Sequence, residues 1–378
     1  MEIENYLNKM KEIQNTFLKY VENEESTNDQ YNKLIKIFDD EKIANNQHKL
    51  KSVLYLLLNV SNYHHRGPNF FDKIFKIILV FRDSIKKYYS NYETFNIFKS
   101  NNKILLFLVE EKIITIDESV ANTIKNTANK VKYFWPEMKQ YYDEKTAKKI
   151  SKEIPKDIEE KRKIGENDDL LCELIRKDSL DEFIALIEKA NLDLKTKIKP
   201  SFLETNSFLI DKEPSLIEYA SFFGSMQIFK FLNSKRIELT PSLWQYSIHS
   251  QNSELLQFLK DNQIHPDDEN FDKFLKESIK CHHIEFTHFI KNSFYQNNEE
   301  KCFEIFIKSF KYYNFEFIRK ESINEAAFFD LCHYDYFFIV ELLMQQTKID
   351  VNAIRILKQF FNSINDSNFL ITFQNYII

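Results

Sequence analysis

The chain has 378 residues, a formal net charge of −5 and only three glycines, Gly67, Gly165 and Gly224, where average usage of about 7% would give roughly 26. A P-loop, a dinucleotide-binding turn or a nucleophile elbow needs clustered glycines, and none of those clusters occurs. Acidic and basic residues are interspersed, so no basic stripe is available to neutralise a phosphate backbone and nucleic acid is excluded as an expected partner.

The apolar fraction, 43%, is ample for a continuous core. Cys172, Cys281, Cys302 and Cys332 are widely spaced in a chain too large to need staples, and they read as free core thiols in a reducing compartment. Residues 1–10 lack the layout of a secretory signal. The apolar runs, such as Ile104–Val109 and Val53–Leu58, fall short of the ~20 residues that a spanning helix requires. These features predict a cytoplasmic protein that does not engage membrane, and they make the sequons at Asn59 and Asn365 coincidental.

In chain order, Ile3, Leu7, Met10, Ile13, Phe17, Tyr20 and Val21 fall at helical spacing, predicting a first helix to about Glu24. Similar periodicity predicts helices over Tyr31–Phe38, Leu50–Val60, Phe70–Tyr88, Tyr92–Phe98 and Lys103–Lys112. Period-two segments of the strand type are missing. Residues 136–168 turn charged, with Pro155 and Glu159-Glu160-Lys161-Arg162-Lys163, and read as a connector with helical turns.

The second half repeats. Ile217, Ala220, Gly224, Ile228 and Leu232 recur 27 residues on as Trp244, Ser247, Gln251, Leu255 and Leu259. A further 31 residues on, the pattern returns as Leu275, Ser278, His282, Phe286 and Ile290. It stands 45 residues before the first set as Cys172, Ile175, Ser179, Phe183 and Ile187, and 111 after it as Phe328, Leu331, Asp335, Ile339 and Leu343. A weaker copy holds Phe306, Ser309, Tyr313 and Phe317. Each unit reads as a helix, a polar turn and a second helix. The small residues Ala220, Ser247 and Ser278 fall where stacked helices approach most closely. Such units bury their apolar faces only by stacking.

The phrases Ile217–Ser225 and Ile228–Leu232 resemble a degenerate ankyrin repeat, and Ile339–Leu343 with Ile349–Ala353 resembles the end of an ankyrin second helix and its loop tip. Lys163–Asp168, Glu204–Ile210 and Leu216–Gly224, with His64-His65-Arg66 and Phe95–Ser100, resemble a large divergent ankyrin-like family of trichomonad protists. The resemblance implies an all-α, elongated helical solenoid that binds a protein partner. Its expected organisation is an N-terminal helical domain (1–135), the charged connector (136–168), ankyrin-like repeats (169–353) and a C-terminal capping helix (354–378). The Thr-Pro-Leu-His phrase and most loop glycines are absent, which puts β-hairpin fingers in doubt.

The ankyrin arrangement further implies that the exposed side of each first helix meets the partner, assigning Tyr219, Phe222, Tyr246, His249, Glu277 and Lys280 to a protein-binding surface. No cofactor is expected. Cys281-His282-His283 with His288 suggests a metal, but the histidines fall in an inter-helix turn where polar residues belong, so no metal ligands are assigned. His64-His65-Arg66 suits a solvated turn before Gly67-Pro68, with a catalytic patch as the alternative. Cys332-His333 reads as a core thiol beside an unrelated histidine. Trp135 and Trp244 read as packing anchors. The expected function is therefore a non-catalytic protein-interaction module; the rivals are an enzyme with its site in the N-terminal half and a zinc-dependent fold.

Overall fold

The computed structural model describes residues 2–22, 27–67, 69–264, 271–294, 308–324 and 327–346. The described chain is all-α: it contains no strand, only an isolated bridge between Lys197 and Ser215. No described helix is long and apolar enough to cross a membrane.

Helix α1 (Glu2–Glu22) buries Ile3, Leu7, Met10, Ile13, Phe17 and Tyr20, the face its spacing predicts. After α2 (Thr27–Asp40), Asn46 begins α3 (Gln47–Tyr63) by accepting the Lys49 N–H at 2.9 Å. Leu50, Val53, Leu54, Leu56, Leu57, Leu58 and Val60 of α3 are all buried, and so are Ser52, Asn59, Ser61 and Asn62, so this helix is buried on most of its circumference and lies inside the molecule. The Asn59 sequon is buried with it, and the Asn365 sequon lies outside the described residues.

The single helix expected over Phe70–Tyr88 is two, α4 (Phe70–Val80) and α5 (Arg82–Tyr88), because Phe81 leaves helical geometry to pack its ring 4.9 Å from Phe38. Helices α6 (Asn91–Phe98), α7 (Asn102–Glu110), α8 (Glu118–Lys125) and α9 (Ala128–Tyr133) follow. The stretch expected as a connector is folded into α10 (Trp135–Met138), α11 (Glu144–Ser151) and α12 (Ile158–Ile164). Its alternating charges hide one partly buried pair: the buried Arg162 grips the half-buried Glu137 with two 2.7 Å bonds and accepts the Tyr133 hydroxyl on its carbonyl. Trp135 and Ile158 join the core.

Helix pairs then recur: α13 (Leu170–Arg176) with α14 (Leu180–Ala190), α15 (Leu216–Phe223) with α16 (Met226–Ser234), α17 (Leu243–Ser250) with α18 (Ser253–Asp261), and α19 (Phe271–Lys280) with α20 (Ile284–Phe294). A 3₁₀ turn at Lys308–Tyr312 and a closing pair, Phe328–His333 and Phe337–Gln346, complete the series. Each inter-helix turn passes through a left-handed residue: Asp178, Gly224, Gln251, His282, Tyr313 and Asp335, with φ between 50° and 69°. The N–H after it commonly reaches back five residues, as in Ser225 to Ala220 (2.9 Å), His283 to Ser278 (3.0 Å) and Tyr336 to Leu331 (2.8 Å). This is the Schellman closure, which satisfies the last carbonyls of one helix while turning the chain into the next.

The first helices α13, α15, α17 and α19 pack in series. Ala220, Ser247, Ser278 and Ser309 are wholly buried between them, as close approach requires. The turns also bond in series. Asp178 caps the next unit through the N–H groups of Gln227 and Ile228 (both 3.0 Å), Gln251 bonds His283, and Asn314 donates to the Ile279 carbonyl at 2.8 Å.

The core does not divide at the expected domain boundaries. One cluster joins Ile3–Ile158 to Leu203 and to Phe310–Leu343; the other runs from Leu171 to Ile290 and includes Phe317. The closing pair lies against α1 and α3, where Asp335 accepts the Tyr55 hydroxyl at 2.7 Å and pairs with Lys51 at 3.0 Å. The N-terminal helices therefore flank the repeated units instead of extending them end to end. The expected loop tip after residue 346 and the capping helix 354–378 lie outside the described residues.

Candidate functional site

Three stretches far apart in sequence meet at Arg66. Its guanidinium donates to Thr205 Oγ1 (3.1 Å) and to the Ser61 carbonyl (3.4 Å), stands 4.0 Å from Glu204 and lies over the Phe71 ring. Thr205 in turn donates to the carbonyl of Gly165 at 2.7 Å. Gly165 takes φ 72°, and a Cβ there would meet Lys103 Cδ at 2.7 Å, so this position needs glycine on both counts. Burial raises the Glu204 carboxyl above its ordinary range. His64-His65-Arg66 is thus a packed junction and not a solvated turn: the side chains of His64 and Arg66 are 0% and 7% exposed. The reason is that α3, which carries them in, is itself interior.

Beyond Arg66, His64 reaches the turns of the repeated units. Its Nδ1 donates to the Cys281 carbonyl at 2.7 Å, its Nε2 stands 2.9 Å from Glu22, and its ring lies 4.8 Å from that of His283. Burial and the neighbouring imidazoles push His65 down to about 4 and His282 to about 3, and they lower His283 as well. Two dipeptides read separately in the sequence, His64-His65 and His282-His283, therefore form one cluster, buried except for the half-buried His65.

The third part lies one unit deeper. Glu277 and Cys281, one helical turn apart, face His249 of α17. His249 Nε2 is 3.0 Å from Glu277 Oε1, and Cys281 Sγ is 3.5 and 3.8 Å from the two ring nitrogens. Near-equal distances to both nitrogens mean that the sulfur is not aligned with either one. Lys280 Nζ donates to the same Glu277 oxygen at 3.0 Å. Burial alone would raise Glu277, but its bonds to His249 and Lys280 bring it to about 2, so the carboxylate is charged; burial lowers His249 and holds the Cys281 thiol protonated.

The six side chains assigned to a partner surface do lie on neighbouring first helices, but none has the exposure expected of it. Tyr219, Phe222, Tyr246, His249 and Glu277 are buried and Lys280 is half-buried. The chain covers them itself. Phe208 stacks on Phe222 and meets Tyr246 edge-on (5.1 Å) and His249 at 4.2 Å. Lys212 lies 3.2 Å above Phe208, and Lys280 lies over Tyr63 at the end of α3. Tyr219 accepts from Arg176 at 3.1 Å. Sequence reasoning gave no role to Phe208, Lys212, Tyr63 or Glu22. One signal was present: the 45-residue spacing before Gly224, against 27 and 31 after it, leaves the extra chain that forms this cover.

Other candidates separate. His288 is exposed on α20 beside Phe317, away from Cys281. Cys332 is buried while His333 is exposed, so they do not form a pair. Cys172 is buried and pushed up to about 12 by burial. Cys302 lies outside the described residues. Trp135 and Trp244 are buried, with Trp244 Nε1 donating to the Ile264 carbonyl at 2.6 Å. The cavity lined by His64, His65, Arg66, Glu166, Glu204, Phe222 and His249 is small, with room for about one water.

No family model, no curated protein and no solved structure matches this chain. Its functional reading therefore comes from its own residues.

Proposed function

We propose that the chain is a non-catalytic protein-interaction module, an ankyrin-like helical array whose partner docks on the second helices because the chain's own residues cover the first. One observation carries this reading. Leu186, Phe231, Phe258 and Phe289 stand at one position of α14, α16, α18 and α20, separated by the repeat's own offsets of 45, 27 and 31 residues. The first three are half-buried, and Phe289 is 43% exposed. A row of large apolar side chains, three of them aromatic, at a fixed position of stacked helices is the kind of surface that anchors an apolar partner face.

The small size of the cavity at His64–Arg66 and the protonated state of the buried thiols support a non-catalytic role. Buried free thiols also suit the cytoplasm. The test is capture from native cell extract with full-length protein and a Phe231→Ala/Phe258→Ala/Phe289→Ala variant that keeps its helical circular dichroism. A protein retained by wild type and lost by the variant supports the reading. Identical capture by both overturns the assigned face.

A further inference from the structure

We infer that His249, Glu277 and Cys281 form a binding site for one divalent zinc-class metal ion, which ties α17 to α19. This inference does not depend on the proposed partner surface.

The three residues supply one nitrogen, one carboxylate oxygen and one sulfur, the mixed donor set that zinc accepts. All three are buried, and their donor atoms lie within 4.8 Å of one another. Among the described residues no other group of three such side chains comes this close. Metal–ligand lengths of about 2.3 Å to sulfur and about 2.0–2.2 Å to nitrogen and oxygen make the edges of a tetrahedral site about 3.4–3.6 Å. Here, with Nε2 as the histidine donor, nitrogen to oxygen is 3.0 Å, sulfur to nitrogen 3.8 Å and sulfur to oxygen 4.0 Å. Shifts of about 0.5 Å therefore close the polyhedron, together with a turn of the His249 ring that aims a nitrogen at the ion. A water would complete the four-coordinate set.

Charge also balances. Without an ion, Lys280 neutralises Glu277. On binding, the Cys281 thiol gives its proton to solvent, and the thiolate and carboxylate together offset the two charges of the metal. Lys280 is then released from Glu277 toward the Tyr63 ring, 4.4 Å from its ammonium. Metal loading would thereby strengthen the contact between α19 and α3.

Metal-free full-length protein is titrated with Co²⁺, whose sulfur-to-cobalt charge-transfer absorption reports a thiolate ligand, and Zn²⁺ is then added in competition. The expected result is one cobalt per chain with a charge-transfer band that zinc removes. Cys281→Ser abolishes the band, Cys332→Ser keeps it, and His249→Ala and Glu277→Gln each weaken binding on the order of 10-fold or more, the loss that even outer-shell changes bring. A wild-type protein without the band overturns the proposal, whatever the variants do. So does a band that survives in Cys281→Ser.

Discussion

Phe208 lies on Phe222 with ring centroids 5.6 Å apart and planes 14° from parallel. The contact places a residue from the long segment between two units on the helix face that the ankyrin arrangement would give to a partner. Removing this ring leaves a cavity against Phe222, Tyr246 and His249, so Phe208→Ala should destabilise by about 3–5 kcal/mol. Phe289→Ala, at a side chain 43% exposed, should cost less than about 1 kcal/mol. Urea midpoints at constant slope check the pair. Equal losses would mean that Phe208 is not the cover described.

The left-handed turns give a second contrast. Gly224 has φ 69°, and a Cβ there would sit 3.3 Å from Ser250, so Gly224→Ala should cost about 1–2 kcal/mol. Arg236 is exposed and holds φ 61° where the chain leaves α16. Arg236→Gly should therefore stabilise by roughly 0.5–1 kcal/mol, since glycine carries no strain there and gives back only part of the gain through its freer unfolded chain. Thermal unfolding of the two variants should shift in opposite directions.

Acid should destabilise the metal-free protein through its buried imidazoles. His65 falls from its ordinary 6.5 to about 4 on folding, and His282 to about 3. Between those values the unfolded chain binds protons that the folded chain refuses. The stability these groups contribute is thus fully present above about pH 6.5 and lost as pH falls toward 3 to 4. Glu277, lowered on folding, acts in the same direction further down; Glu204, raised on folding, acts oppositely. Urea midpoints in chelator at pH 7.5 and 5.5 should differ, and His65→Asn should narrow the difference. A midpoint that rises on acidification would contradict this assignment.

The stretch 136–168 is predicted to behave as core. Breaking the bidentate Arg162–Glu137 pair with Glu137→Ala leaves a buried guanidinium without its partner and should cost about 3 kcal/mol. Limited proteolysis of native protein should spare this stretch, although its composition resembles a linker. Rapid cleavage there would restore the connector.

Much of the repeat was legible because its physics is local. The offsets of 27 and 31 residues locate Gly224, Gln251 and His282, and all three hold the left-handed turn. The first unit is out by one residue: Asp178, not Ser179, turns left-handed, because the pattern marks apolar neighbours and does not distinguish two adjacent polar residues. Cover was not legible. Periodicity shows that Tyr219 and Phe222 share a face with apolar character, but not that Phe208 and the end of α3 occupy it. Likewise, His64 and His283 come together only because α3 is interior, which follows from the assembled core and not from either dipeptide. The charges of 136–168 misled for a related reason: a buried arginine with its glutamate and a solvated pair look alike in sequence.

Hydroxyl-radical footprinting of the full-length protein, read by mass spectrometry, distinguishes a covered first-helix face from an open one. With Phe208 as the cover, Phe289 should be oxidised readily while Tyr219, Phe222 and Tyr246 are protected in wild type and become labelled in Phe208→Ala. Labelling of the three first-helix residues in wild type at the rate of Phe289 would contradict it, leaving that face open to a partner and the second-helix row without its argument.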